Sequence, residues 1–263
     1  MADPVIEQFR AASAGLSKLV RDELASFFDT LDLSRPEAVR DALMEFMPLL
    51  VSEYGSVAES LALDYYNELR ATSGASGAFR AVAGVPAVPA VAVESTVRRL
   101  AGQLWTPDPA TMLGGLLTAA DKYVKQPGRD AIAYNAKREG VAWARVPTGA
   151  KTCAFCLVLA SRDAVYMTKQ AAGDRRGTGK GDAFHGDCDC SVVRIGKASD
   201  YPTDYLPDSY YDMYTAAAND DGPEVRAFLD SLPADAKNQQ LKAAVFSMRR
   251  LHPDAVTDAV HIH

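Results

Sequence analysis

All four cysteines of this 263-residue chain fall in two short words, CAFC at Cys153 to Cys156 and CDC at Cys188 to Cys190. One of its four histidines, His185, stands three positions before the second word. A CxxC spacing lets a tight turn point two sulfurs at one ion, and a zinc ion asks for four thiolate or imidazole ligands in a tetrahedron. The HxxCxC group can complete that shell in two ways. His185 with one later cysteine gives a site of three cysteines and one histidine. Cys188 with Cys190 gives an all-cysteine site and leaves the imidazole as an outer partner. The spacing leaves open which of Cys153, Cys156, His185, Cys188 and Cys190 is spare. Two disulfides, or four buried unliganded thiols, are the competing readings, and the first suits an oxidising compartment.

Nothing else in the chain points to such a compartment. The start MADPVIEQFR lacks the basic-then-apolar order of a secretory signal, and no run of eighteen or more apolar residues occurs, so neither export nor membrane insertion is expected. A net charge of -6 and a pI near 5.3 argue against a protein whose main business is coating nucleic acid. With 48% hydrophobic and 24% charged residues, the chain can bury a sizeable core in one large or two small domains.

Periodicity predicts an elongated helical region over residues 1–139. In the first helix Ile6, Phe9, Leu16, Leu19, Val20, Leu24, Phe27 and Phe28 recur at helical spacing. A second helix starts with Ser34 as cap candidate, Pro36 in its first turn and Glu37 three positions on. It is expected to reach about Arg70, with Pro48 kinking or interrupting it. Tyr65 and Tyr66 read as packing. Residues 71–93, small and punctuated by Val-Pro steps, read as a flexible or extended connector. Helix resumes beyond it, and Pro127 with Gly128 is expected to divide the last segment.

Residues 140–198 change character. VAWARVP alternates as a short strand with Val141, Trp143 and Arg145 on one side, and CDCSVVRIG reads as a second strand. A glycine-rich, basic loop from Gly173 to Gly181 lies between them and reads as solvated, with Arg175, Arg176 and Lys180 able to meet phosphate or an acidic partner. Over residues 199–263, Tyr201, Tyr205, Tyr210, Tyr211 and Tyr214 suit either a partner surface or a core. LKAAVFSMRRL then reads as one amphipathic helix, a docking element, followed by a tail ordered in an assembly and mobile in the isolated protein. The tail holds His252, His261 and His263, which read as solvated rather than metal-binding. The fold class is therefore α+β and predominantly α, with a small β-containing zinc-knuckle module embedded between helices.

WARVPTGAKTCAFCLVLASRDAVY followed by FHGDCDCSVVRI resembles the MuF-like minor head proteins of tailed bacteriophages, especially those infecting actinobacteria. The likeness runs from about Val141 to Gly196. It is carried by Trp143 to Pro147, Cys153 and Cys156, Leu159 to Arg162, Tyr166, and His185 to Cys190. Two departures stand out: Asp163 follows LASR where glycine is common in relatives, and no proline closes the segment after Cys190. The resemblance implies a structural, non-enzymatic virion component, made in the host cytoplasm and placed at the portal vertex or capsid interior. Its implied partners are the portal and/or major capsid protein, and packaged DNA through Arg175, Arg176 and Lys180. A metal there would be structural, because a catalytic zinc keeps one position open for water. Two hydrolytic alternatives exist. A zinc-supported HNH-like nuclease would need His185 free of ligation, with Asp182 and Asp187 nearby. A head maturation protease would pair Ser161 with the same histidine.

Overall fold

In a computed structural model, residues 4–149, 151–163, 188 and 190–257 are described. Those from 4 to 140, and those from Val141 onward, form two compact units. The first unit is all helix: α1 (Pro4–Asp29), α2 (Pro36–Thr72), α3 (Ala90–Leu100) and α4 (Met112–Glu139), with two 3-10 turns, Ala101–Trp105 and Pro109–Thr111, before α4. Its core follows the helical spacing of the sequence. Leu16, Val20, Leu24 and Phe28 of α1 meet Leu43, Met47, Leu50 and Val51 of α2 and Leu116, Ala120 and Val124 of α4. Phe27 stacks on Phe46 with ring centroids 3.8 Å apart, and Phe9 on Tyr65 at 4.2 Å. Leu19 departs from the expected stripe and is 57% exposed.

Three local signals are overridden. Ser34 does not cap α2; its hydroxyl donates to Asp32 Oδ1 at 2.6 Å, and Pro36 opens the helix behind Arg35. Pro48 lies inside α2 without ending it. An interior proline costs about 3 kcal/mol, and here Met47, Leu50 and Val51 around it are all buried, a burial worth about 1.5–3 kcal/mol for each large side chain. Pro127 and Gly128 likewise lie within an unbroken α4. They are the place where α4 touches α2: a Cβ on Gly55 would stand 3.3 Å from Pro127 Cγ, and one on Gly128 only 2.8 Å from the Ala58 carbonyl oxygen. The glycine is there for close approach of two helices. Gly128→Ala is expected to lose about 1–3 kcal/mol through overpacking, measured as a lower denaturation midpoint with an unchanged slope.

The connector is extended but tied down, and α3 already begins at Ala90. The buried Asn135 side chain imitates a neighbouring strand, accepting from Val82 N at 3.1 Å and donating to Val82 O at 3.0 Å. Asn67 Oδ1 accepts from Ala81 N at 2.8 Å. Arg70 donates to the Ser76 and Gly77 carbonyls and pairs with Glu139 at 2.9 Å, while Tyr66 donates to the same carboxylate at 2.6 Å. Phe79 lies near the Arg70 and Arg138 guanidinium groups, 5.6 and 5.0 Å from its ring centroid.

The second unit holds the sheet. Strand β1 (Ala142–Val146) pairs antiparallel with β2 (Ser191–Ile195), in register from Ala142 opposite Ile195 to Val146 opposite Ser191. Both faces of β1 are covered, with Trp143, Ala144, Arg145 and Val146 all buried, so the expected one-sided alternation does not govern it. Between the strands comes α5 (Ala154–Ala160); after them come α6 (Pro207–Ala218), α7 (Pro223–Ser231) and α8 (Gln239–Leu251). Ala154, Leu157 and Val158 of α5 share one core with Ala217, Val245, Met248 and Val256. The apolar face of α8 is thus covered within the unit rather than offered for docking. Tyr205 is buried and donates to the Ala160 carbonyl at 2.6 Å, while Tyr211 is 56% exposed, so the tyrosine cluster divides between core and surface.

The chain after α8 is held down as well. Thr152 N donates to Ala255 O at 3.0 Å, and Thr257 N to Thr152 O at 3.1 Å. Lys151 Nζ reaches the Pro253 carbonyl at 2.8 Å. Through Thr257 this segment is hydrogen-bonded into the unit; His261 and His263 lie outside the described residues. The architecture is predominantly α with one small two-stranded sheet, as the sequence predicts. No helix among the described residues is long and apolar enough to cross a membrane.

Candidate metal centre

The two cysteine words are brought together by the β1–β2 ladder. Val146 at the end of β1 faces Ser191 at the start of β2, so Cys190 stands at the same end of the sheet from which the chain leaves towards Cys153. A short loop, pinned at Thr152 by the chain after α8, returns the chain to the sheet. Cys153 then sits immediately before α5 with extended backbone, and its carbonyl accepts from Leu157 N at 3.1 Å. That turn places Cys156 in the first turn of α5.

The result is four buried cysteines, three of which form one close group. Cys153, Cys156, Cys188 and Cys190 are 2%, 0%, 3% and 1% exposed, and none forms a disulfide. The Sγ atoms of Cys156, Cys188 and Cys190 all lie within 4.8 Å of one another, with Cys156 and Cys188 only 3.4 Å apart. Cys156 is the hub. Hydrogen bonds with Cys153 first, then with Cys188 and Cys190, hold its thiol well above the ordinary range, and burial adds to the effect. Adjacent thiolates in a low dielectric repel one another, which is why gathering this thiol with its neighbours disfavours its charged form.

Three buried cysteines this close can bind a metal ion, and the donor set fits a soft or borderline one. In a tetrahedral thiolate site with bonds of about 2.3 Å the sulfurs stand about 3.8 Å apart, inside the range seen here. Thiolates select zinc and its neighbours over the hard, oxygen-seeking magnesium and calcium.

His185 lies outside the described residues, as do Tyr166, Arg175, Arg176, Lys180, Asp182 and Asp187. Ser161 ends α5 and donates to the Val158 carbonyl at 2.8 Å. Asp163 adopts a left-handed φ of 59°, the conformation in which glycine is least strained. The MuF-like pattern's glycine at this position therefore has a backbone reason. Ser191, free of the proline of that pattern, begins β2.

A feature that pattern reading passed over is the buried pair beneath the end of β2. Asp200 Oδ2 accepts from Arg194 Nη1 at 3.0 Å, Gly196 N at 2.8 Å and Lys197 N at 3.1 Å. One carboxylate thereby fixes the turn that leaves the sheet. An arginine in a strand followed by aspartate six positions later is too common a pattern to have revealed it.

No solved structure matches the chain. The Gene 15 protein of Mycobacterium phage D29 is 25% identical over 267 residues, covering 91% of this chain and 94% of that one. A family profile described as VG15 protein matches residues 1–217, which takes in all of the first unit, the four cysteines and both strands. Together these indicate a phage protein. The chain belongs to the VG15 protein family.

Proposed function

We propose that this chain is a MuF-like minor head protein of a tailed phage, a structural virion component that associates with the portal and/or the capsid interior. One structural zinc ion holds its C-terminal unit in shape. The observation that carries this reading is the convergence of Cys156, Cys188 and Cys190 into one buried group. Among the described residues of the compound motif, the strand from Trp143 to Val146 and Cys153, Cys156, Cys188 and Cys190 belong to one compact unit. The near end-to-end similarity to a phage gene product supports the same reading.

The role is contact rather than chemistry. All four cysteines are buried, which suits a structural ion, whereas a catalytic zinc keeps one position for water. Portal and major capsid protein are the proposed partners, and Arg175, Arg176 and Lys180 are proposed to meet the phosphates of packaged DNA.

Purified virions analysed by quantitative mass spectrometry are expected to contain the chain at low copy, crosslinked to portal protein when the intact head is treated with a short amine-reactive linker. Heads that assemble without incorporating it would instead make it a transient assembly factor, and the proposal would fall.

A further inference from the structure

We infer that Cys156 and Cys188 are a redox-modifiable pair, closing as one disulfide when the metal-free chain meets a small-molecule disulfide oxidant such as oxidised glutathione. The link uses no metal, so it stands or falls apart from the zinc reading above.

The Sγ atoms of Cys156 and Cys188 are 3.4 Å apart. A disulfide holds its sulfurs at about 2.05 Å, so closure asks for an approach of roughly 1.4 Å shared between two side chains. Cys156 is fixed in the first turn of α5, whose Ala154, Leu157 and Val158 are packed in the core of the unit. Cys190, the third member of the close group, immediately precedes β2, and its backbone is held by the register of that strand on β1. Cys188 stands two positions further out, so it can close on Cys156 with least disturbance of paired backbone. Cys188 with Cys190 would join near neighbours in one word. Cys156 with Cys188 ties α5 to the approach of β2 across 32 positions of sequence.

The exchange balances in two steps. One protein thiol attacks the glutathione disulfide and releases one glutathione thiol; the second displaces the other glutathione from the mixed disulfide. The protein loses two hydrogens, each proton passing to a departing thiolate, and the oxidant is reduced to two thiols. At 0% and 3% exposure, the pair reacts when the unit opens locally, so it responds slowly. A reducing cytosol keeps it open and oxidising surroundings close it.

For the test, the full-length chain is stripped of metal by a chelator, equilibrated in a glutathione redox buffer, alkylated and mapped by mass spectrometry without reduction. The expected product is two hydrogens lighter, with fragmentation placing the link between Cys156 and Cys188 and with Cys153 and Cys190 alkylated. Cys190→Ser is expected to keep this link and Cys156→Ser to lose it. Cys153 paired with Cys156 and Cys188 with Cys190, the short loops that closure entropy favours in an unfolded chain, would overturn the inference, as would any other dominant pairing or no link at all. Zinc content of the untreated protein is a separate readout, so either conclusion can fail without the other.

Discussion

On the proposed zinc reading, stripping metal from the intact chain is expected to unfold the C-terminal unit and leave the N-terminal helical unit folded. The asymmetry follows from what each unit has to hold it. The N-terminal unit buries a continuous core contributed by all four of its helices. Among the described residues the C-terminal unit has a smaller cluster and a sheet of two strands, and an isolated two-stranded ribbon is marginal in water. Structural zinc contributes about 10–16 kcal/mol of apparent binding free energy in zinc-finger peptides near neutral pH, more than the typical stability of a domain. Ligation displaces protons, so occupancy should fall as pH falls; the raised Cys156 thiol adds to that dependence, because more of the ion's binding energy goes into removing its proton. Thermal melts with and without a strong chelator, followed by amide exchange, give the readout. Exchange protection should vanish from β1, β2, α5 and α8 and persist in α1, α2 and α4. Unchanged protection in the strands after complete metal removal would show that packing alone holds the unit.

Asp200→Ala is expected to cost about 3–5 kcal/mol, the range for breaking a buried ion pair by removing one partner. The side chains of Arg194 and Asp200 are 3% and 2% exposed, so water cannot replace the lost carboxylate, and the amides of Gly196 and Lys197 lose their acceptor as well. Arg194→Met combined with Asp200→Ala should recover part of the loss, since removing both charges removes the desolvation penalty with them. A double-mutant cycle by chemical denaturation measures the coupling. A cost below about 1 kcal/mol for the single substitution, the range of solvent-exposed pairs, would contradict the buried geometry.

Much of the helical unit was legible because its apolar residues repeat at helical spacing, and burial then follows the pattern at Leu16, Val20, Leu24 and Phe28. The CxxC and CxC words pointed to the buried group of Cys156, Cys188 and Cys190, because few structures require cysteines at such spacing, while His185 lies outside the described residues. Misreadings arose where a local signal met a tertiary contact. Pro48 and Pro127 say "break" to a reader of neighbours, yet each sits in a helix held by its core face, and Gly128 exists for the approach of α2. Ser34 was placed to cap, but Asp32 captured its hydroxyl two residues away. The pinning of Thr152 by Ala255 and Thr257 joins positions about a hundred residues apart through backbone groups, which carry no sequence signature. The burial of Arg145 was illegible for a related reason, since a charged residue in an alternating strand ordinarily faces water.

Whether the cysteines hold a metal ion is decided by native mass spectrometry of the full chain, purified without added metal or chelator, paired with thiol alkylation before and after denaturation. One zinc per chain, with all four thiols protected in the folded protein and all four alkylated once unfolded in chelator, is the predicted result. A metal-free mass two or four hydrogens light, showing disulfides, or a metal-free folded chain with four free thiols, would contradict it.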